Sequence, residues 1–189
     1  MPTYYAALSD RLLVGDGEWT ERLVGETLEC VAADPRAPRR AVVGTVDSGL
    51  QRTTDGGESW TEREGVTDLD SASGWSFPPR PHTHHVRWLA VAPDDPDTVV
   101  VSAARGARSA HATSGESYVY RTTGDGWAVA MAGLPDPDGL ARAVLSADGD
   151  GFAALTNHGL FRSPEGVSWS RVGTWADAHD QVPRGLAVV

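Results

Sequence analysis

Four of the seven tryptophans recur at a spacing of about 41 residues, apart from a longer interval of 67 residues between Trp60 and Trp127 that carries extra loops. Trp19 and Trp60 lie 41 positions apart, and Trp127 and Trp169 lie 42 positions apart. Each of them closes a series of short alternating segments that are separated by glycine- and aspartate-bearing turns. A period of about 40–45 residues with four strands per repeat is the sequence signature of propeller blades. The spacing therefore predicts an all-β fold, a β-propeller of about four blades with four antiparallel strands in each.

The end of the chain resembles a first strand that the N-terminal repeat lacks. Residues 184–188 (RGLAV) are similar to residues 87–91 (RWLAV), which read as the innermost strand of a repeat. We expect the C-terminal strand to complete the N-terminal blade, because this pairing removes an exposed strand edge. In a single propeller domain, the predicted blades then cover residues 3–24 with 184–189, 28–66, 86–134 and 140–175, with an inserted loop at 67–85.

The charge of the chain excludes some classes of partner. All 16 basic residues are arginine, acidic residues number 26, and the net charge is −10. An acidic surface without lysine is typical of cytosolic proteins of salt-accumulating organisms, where carboxylates hold water and salt screens their repulsion. A GC-rich genome would also favour arginine over lysine, but it does not explain the excess of aspartate. No basic patch is present, so we expect no nucleic-acid partner.

Several observations favour a cytoplasmic protein. No run of 18 apolar residues predicts a membrane span, and the first residues lack the pattern of a secretory signal. The single cysteine, Cys30, cannot form an intramolecular disulfide, which fits a reducing compartment. Because Cys30 lies in an apolar strand-like segment, we expect it to pack in the core.

One turn carries a complete family motif. Residues 53–60 (TTDGGESW) match the pattern Ser/Thr-x-Asp-x-Gly-x-Ser/Thr-Trp at Thr53, Asp55, Gly57, Ser59 and Trp60. The chain thereby resembles the BNR or Asp-box repeat propellers of the sialidase-like and YVTN/WD40-like repeat superfamily. Weaker copies precede the other repeat-closing tryptophans, at residues 162–169, 122–127 and 15–19. The resemblance spans nearly the whole chain, which is shorter than we expect for such relatives.

The resemblance implies a structural role for the motif. In the family the box joins the third and fourth strands of a blade, on the rim away from the ligand. Asp55 is expected to accept backbone N–H bonds, the glycines to take positive φ, and Trp60 to pack between blades. Sialidases also need an arginine triad and usually an Arg-Ile-Pro segment, which is not found here. The sequence thus argues against sialidase activity.

The alternation of loops in antiparallel blades places the histidines on the face opposite the box. The loops from strand two to three and from strand four to the next blade share one face, and the box turns share the other. By this rule all six histidines lie on or beside the non-box face: His82, His84, His85, His111, His158 and His179. Other polar residues assigned to this face are Arg80, Arg87, Arg105, Arg108, Asp47, Asn157, Asp177 and Asp180.

Two segments of this face are the candidate ligand-binding regions. In the first, Arg80, His82, His84, His85 and Arg87 follow a stretch stiffened by prolines. In extended backbone His82 and His84 point the same way, and with His111 they form a candidate site for a divalent metal. The alternatives are a small anionic or sugar ligand without metal, and histidines that only hold the loop together.

In the second segment, Arg105 and Arg108 lie close to His111, and their forked donors suit a carboxylate or phosphate. The alternative is an exposed polar loop paired with nearby aspartates. Ser109 and His111 lack the surroundings of a catalytic triad. Asp177 and Asp180 are a weaker candidate for a carboxylate pair in acid–base catalysis.

Three functions fit these observations. The first is a binding module for a small polar or anionic ligand or for a protein partner. The second is a glycosidase-like hydrolase or lyase, with or without a divalent metal ion, whose catalytic residues the sequence does not identify. The third is a shortened or homo-oligomerising remnant without the activity of its relatives. Because propellers host many functions, the fold does not choose among them; the missing nucleophile and carboxylate pair favour the first.

Overall fold

A computed structural model describes residues 2–34, 36–45, 50–63, 85–123 and 126–189. The chain divides into two compact units. Unit 1 consists of Met1–Ser71 and Pro183–Val189, and unit 2 consists of Ala72–Val182. Among the helices in these described ranges, none combines the length and the apolar character that crossing a membrane requires.

The described residues are almost entirely strands. The strands of unit 1 are β1 (Tyr4–Ala7), β2 (Leu12–Gly15), β3 (Trp19–Arg22), β4 (Leu28–Asp34), β5 (Ala37–Thr45), β6 (Leu50–Thr53), β7 (Thr61–Arg63) and β16 (Gly185–Val188). The strands of unit 2 are β8 (His85–Ala92), β9 (Asp95–Ala104), β10 (Ser117–Thr123), β11 (Gly126–Val129), β12 (Val144–Asp148), β13 (Gly151–Thr156), β14 (Gly159–Ser163) and β15 (Ser170–Gly173). Unit 2 also has a one-turn helix α1 (Ala107–Ala110) and a 3₁₀ turn (Ala178–Asp180).

Each unit contains two four-stranded antiparallel sheets. Unit 1 holds sheet 1, with strand order β16-β1-β2-β3, and sheet 2, with order β4-β5-β6-β7. Unit 2 holds sheet 3, with order β8-β9-β10-β11, and sheet 4, with order β12-β13-β14-β15. Consecutive strands are neighbours throughout, as in the blades of a propeller. The predicted all-β fold class of four four-stranded blades is confirmed.

The C-terminal strand completes the N-terminal sheet, as the sequence predicts. In the pairing of β16 with β1, Tyr4 lies opposite Val188 and Ala7 lies opposite Gly185. The Arg184 amide also donates to the Ala7 carbonyl at 2.8 Å. A side chain at position 185 would meet the Val31 backbone nitrogen at 2.6 Å, so this close approach requires glycine.

Unit 1 buries its core between sheets 1 and 2. Tyr5, Ala7 and Leu12 of sheet 1 pack against Leu28 and Val43 of sheet 2. The expectation that Cys30 lies in this core is wrong, since the residue is exposed. The register between β4 and β5 shifts between Leu28 and Cys30, and this irregularity breaks the alternation of inward and outward side chains along β4.

Unit 2 buries a second core between sheets 3 and 4. Val100 and Val119 of sheet 3 pack with Phe152, Phe161 and Trp169, which come from sheet 4 and its last turn. Each large aromatic side chain contributes strongly to such a core.

The Thr53–Trp60 turn has the hydrogen bonds that the sequence predicts. The Asp55 carboxylate accepts bonds from the Ser59 amide at 3.0 Å, the Ser59 hydroxyl at 2.5 Å and the Thr53 hydroxyl at 2.7 Å. These bonds hold the pKa of Asp55 well below its usual range, the Ser59 hydroxyl being the largest cause. Gly56 and Gly57 both have positive φ.

The same turn anchors unit 1. It joins the third and fourth strands of sheet 2, β6 and β7. Trp60 packs against the core between sheets 1 and 2, and its indole nitrogen donates to the Gly57 carbonyl at 3.1 Å. The Gly56 amide donates to the Arg39 carbonyl at 2.9 Å. All of these contacts join residues of unit 1.

Thr53→Val is expected to lower the free energy of unfolding by about 1–3 kcal/mol, the usual cost of an unsatisfied buried donor. The Thr53 hydroxyl, which is buried, accepts a bond from the Gly57 amide at 2.9 Å, and valine has the same shape but no acceptor. Urea denaturation measures the difference. Thr61→Val is the matched control, because Thr61 is exposed and makes one long bond of 3.4 Å. Equal effects at the two positions would contradict the role of the turn.

Candidate functional site

The connections of unit 2 lie at two opposite edges of its sheets. One edge carries the turns at 93–94, 149–150 and 164–169. The other, which we call the loop edge, carries the longer segments 105–116, 130–143, 157–158 and 174–182. Binding residues of proteins concentrate on such loops because the rigid sheets position them. The loop edge is therefore the candidate functional site of the described residues.

The segments of the loop edge are bound to one another. The Gly139 amide donates to the Gly115 carbonyl at 2.8 Å, and the Ser117 amide donates to the Pro137 carbonyl at 3.2 Å. Glu116 and Asp138 form an isolated antiparallel bridge. These bonds join the β9–β10 connection to the β11–β12 connection, so the two segments form one surface.

Asn157 is the centre of this surface. Its side-chain oxygen accepts a bond from the Ala141 amide at 2.9 Å. Its side-chain nitrogen donates to the Gly139 carbonyl at 3.0 Å and to the Thr113 carbonyl at 3.3 Å. The residue is 1% exposed. One buried amide thus ties three connections together.

A cavity of about 400 Å³ opens on the loop edge, and it is lined by Arg105, Arg108, Ser109, Ser114 and Gly115 among others. The sequence predicts this segment as a plain loop, whereas the structure has the helical turn α1 here. The Ser109 hydroxyl closes the segment, since it accepts a bond from the Glu116 amide at 2.6 Å. A side chain at position 115 would meet the Ser109 carbonyl oxygen at 2.1 Å. Glycine is needed there for the cavity wall to form.

The two arginines of the cavity present their charge to solvent. The Arg105 side chain is 70% exposed, and its guanidinium lies 4.0 Å from the Glu116 carboxylate, the outer limit of an ion pair. Arg108 is exposed, and within the described ranges its side chain has no ion pair. A guanidinium has five donors in a planar fork that matches a carboxylate or a phosphate. Among the described residues, the two arginines therefore offer donors that no ion pair shorter than 4.0 Å occupies.

The structure brings together part of the predicted site. Arg105 and Arg108 line the cavity, and His111 lies on the same connection just after α1. His158, His179, Asn157, Asp177 and Asp180 also lie on the loop edge. The backbone of His85 and Arg87 belongs to β8, with His85 opposite Ala104 at this edge. The predicted residues Asp47, Arg80, His82 and His84 lie outside the described residues.

The predicted metal site cannot be placed in full, because His82 and His84 lie outside the described ranges. Within those ranges no three histidine, cysteine, aspartate or glutamate side chains come together as metal ligands. The set of His82, His84 and His111 stays a prediction.

The central role of two buried polar residues of this edge is not among the sequence predictions. The sequence places Asn157 on this face but does not predict that it joins the loops. Arg142, 1% exposed, lies between Ala141 and Ala143 and reads in the sequence as part of a strand. A signal for Asn157 exists, because it is the single asparagine of the chain and precedes His158-Gly159 in a turn.

Comparisons with known proteins give structural neighbours only. No family model matches the chain, and no curated protein matches it. A GH74 xyloglucanase from Xanthomonas campestris is similar at 21% identity with a TM-score of 0.33, covering 92% of this chain and 26% of that one. A GH74 enzyme from Niastella koreensis is similar at 17% identity with a TM-score of 0.32, covering 92% of this chain and 25% of that one.

A third neighbour is YCF48 bound to D1 peptide, at 14% identity with a TM-score of 0.28, covering 87% of this chain and 48% of that one. GH74 enzymes and YCF48 are both β-propeller proteins. The chain thus spans about a quarter of the length of the GH74 chains and about half of the YCF48 chain.

Proposed function

We propose that this chain is a propeller-type binding module that holds an oxyanion of its ligand, a carboxylate or a phosphate, in the cavity of the loop edge. The observation that carries the proposal is the pair of exposed arginines, Arg105 and Arg108, in the wall of a cavity of about 400 Å³. Cavities of about 300–1,000 Å³ are usual for small ligands and for anchoring groups of larger ones.

The charge of the chain supports this assignment. With a net charge of −10, most of the surface repels anions, so a place that offers two guanidinium groups stands apart from its surroundings. The Glu116 carboxylate is too far from Arg105 to satisfy all of its donors. An oxyanion between the two arginines would accept charge-assisted bonds, which are stronger than neutral hydrogen bonds.

The position of the cavity also agrees with the Asp-box resemblance. We infer that the Thr53–Trp60 turn is an Asp-box, because the hydrogen bonds of Thr53 and Asp55 with other described residues hold the turn itself. In that family the ligand lies on the face away from the boxes. In unit 2 the cavity lies on the edge opposite the turn at 164–169, which is the weaker copy of the motif.

Arg105→Gln with Arg108→Gln is expected to weaken binding of glutarate and of inorganic phosphate by at least about tenfold. The loss of hydrogen bonds to a charged group costs about 1.5–3 kcal/mol, and about 1.4 kcal/mol is tenfold in affinity. Isothermal titration calorimetry measures the dissociation constants, and the two probes distinguish a carboxylate from a phosphate site. A neutral sugar serves as a negative probe.

Arg36→Gln with Arg40→Gln is the matched control, since it removes the same charge from two exposed arginines of unit 1. The control is expected to bind as the wild-type chain does. Equal weakening in both double variants would show only a general effect of charge. If the wild-type chain binds neither glutarate nor inorganic phosphate, the proposal is wrong. The hydrolase alternative stays a prediction from the sequence. Turnover of a glycan by the wild-type chain would support it.

A further inference from the structure

We propose that His158 and His179 form a two-histidine site for a divalent transition-metal ion such as Zn²⁺. Their ring centres lie 4.9 Å apart, with an angle of 70° between the ring planes. Both residues belong to the loop edge of unit 2, but they differ from the histidines of the predicted metal set. The site is also separate from the arginine-lined cavity and does not depend on the proposed function.

The rings meet edge to face, and a turn of the exposed His179 ring would give them the geometry that a shared metal ion needs. Two imidazoles whose nitrogens each lie about 2.0–2.1 Å from one ion, at tetrahedral or octahedral angles, have ring centres about 5 Å apart. The observed distance falls at that value without movement of the backbone. His179 is exposed, so its ring can turn about its side-chain bonds to direct a nitrogen at the ion.

The surroundings of His158 prepare it as a ligand. Its Nε2 atom lies 3.4 Å from the Gly139 carbonyl oxygen, a contact in which the nitrogen carries the proton and donates it. This tautomer leaves Nδ1 unprotonated, with a lone pair for a metal. Ligating histidines usually donate their other ring N–H to a carbonyl or carboxylate, which fixes the tautomer and the ring orientation. The His158 amide is bonded to the Thr156 hydroxyl at 3.0 Å, so the backbone is fixed as well.

The other side of the site is accessible and acidic. His179 lies in the 3₁₀ turn Ala178–Asp180, where Asp177 precedes the turn and Asp180 is exposed at its end. Within the described ranges no carboxylate joins the two histidines as a third ligand, so the protein supplies two nitrogens. Two nitrogens from the protein leave the remaining coordination positions to water, so the ion would exchange with solvent. Imidazole is a preferred ligand of zinc, copper and nickel.

Titration of the full chain with Zn²⁺ at pH 7.5, followed by calorimetry, tests the site. We expect one ion per chain, and His158→Ala or His179→Ala should each weaken binding by at least about tenfold, since losing even an outer partner of a ligand costs about 10–100-fold. Thr174→Ala, an exposed position in the segment that leads to the 3₁₀ turn, should bind as wild type. Absence of Zn²⁺ binding by the wild-type chain would overturn the proposal.

His111→Ala separates this site from the set predicted from the sequence. Loss of the ion in that variant alone, with binding intact in His158→Ala and His179→Ala, would overturn the assignment. Because His158 is partly buried, replacing it also affects folding, so a second test uses a variant of the exposed His179. Electron paramagnetic resonance of bound Cu²⁺ should show hyperfine coupling to two imidazole nitrogens in the wild type and to one in His179→Ala. A spectrum without imidazole nitrogens would contradict the proposal.

Discussion

Trp169→Ala is expected to lower the free energy of unfolding by about 3–5 kcal/mol, the usual cost of removing a buried large aromatic side chain. Trp169 is buried between sheets 3 and 4 of unit 2, where it packs with Phe152 and Phe161. Its indole nitrogen donates to the Ala130 carbonyl at 2.9 Å, and its amide donates to the Ala132 carbonyl at 2.8 Å. Alanine would leave a cavity and an unsatisfied carbonyl. Urea denaturation followed by circular dichroism measures the loss.

Trp169→Phe separates the two contributions to this effect. Phenylalanine fills most of the space but lacks the indole N–H, so the Ala130 carbonyl alone loses its partner. We expect this variant to cost about 1–3 kcal/mol, the penalty for a buried polar group left unpaired. A cost below about 1 kcal/mol for Trp169→Ala would contradict the claim that the repeat-closing tryptophan holds the two sheets of unit 2 together.

Asn157→Asp is expected to destabilise the chain by about 3–5 kcal/mol at neutral pH, because it places an uncompensated charge in a buried position. The carboxylate has no N–H donor, and the Gly139 and Thr113 carbonyl oxygens at 3.0 Å and 3.3 Å would then face a negative oxygen. Only the bond from the Ala141 amide would survive. Denaturation in urea at pH 7 measures the effect.

Asn157→Ala and a change of pH are the controls for this prediction. Alanine loses the same donors without adding a charge, so it should cost less than aspartate at pH 7. Protonation gives the aspartate one O–H donor, and the gap between the two variants should therefore narrow as the pH falls towards 4. Equal stability of both variants at pH 7 would show that Asn157 is not held between two carbonyl groups.

The sequence predicts the strands of this chain well, for a physical reason. Each strand buries one face of a narrow sheet, so its apolar residues alternate, and turns with glycine and aspartate separate the strands. The tryptophans add a long-range period, since Trp60 and Trp169 each pack at the junction of two sheets. The prediction that Cys30 packs in the core is wrong, because the alternation of residue types does not reveal the local shift of register between β4 and β5.

The site is less predictable than the strands. The rule of alternating loops places Arg105, Arg108 and His158 on the same edge as the structure does, because chain direction alone decides it. It does not predict the helical turn α1, nor the bonds by which Asn157 fixes the cavity wall. Those depend on contacts between segments that lie 16 to 44 residues apart, which no local pattern reveals.

Chemical-shift mapping of the ¹⁵N-labelled full chain during titration with glutarate tests the central claim most directly. Binding in the arginine-lined cavity should shift the amide signals of Arg108, Ser109, Ser114 and Gly115, while Gly56 and Gly57 in the scaffold turn stay unchanged. Shifts confined to the Thr53–Trp60 turn, or no shifts at saturating glutarate and phosphate, would contradict the account.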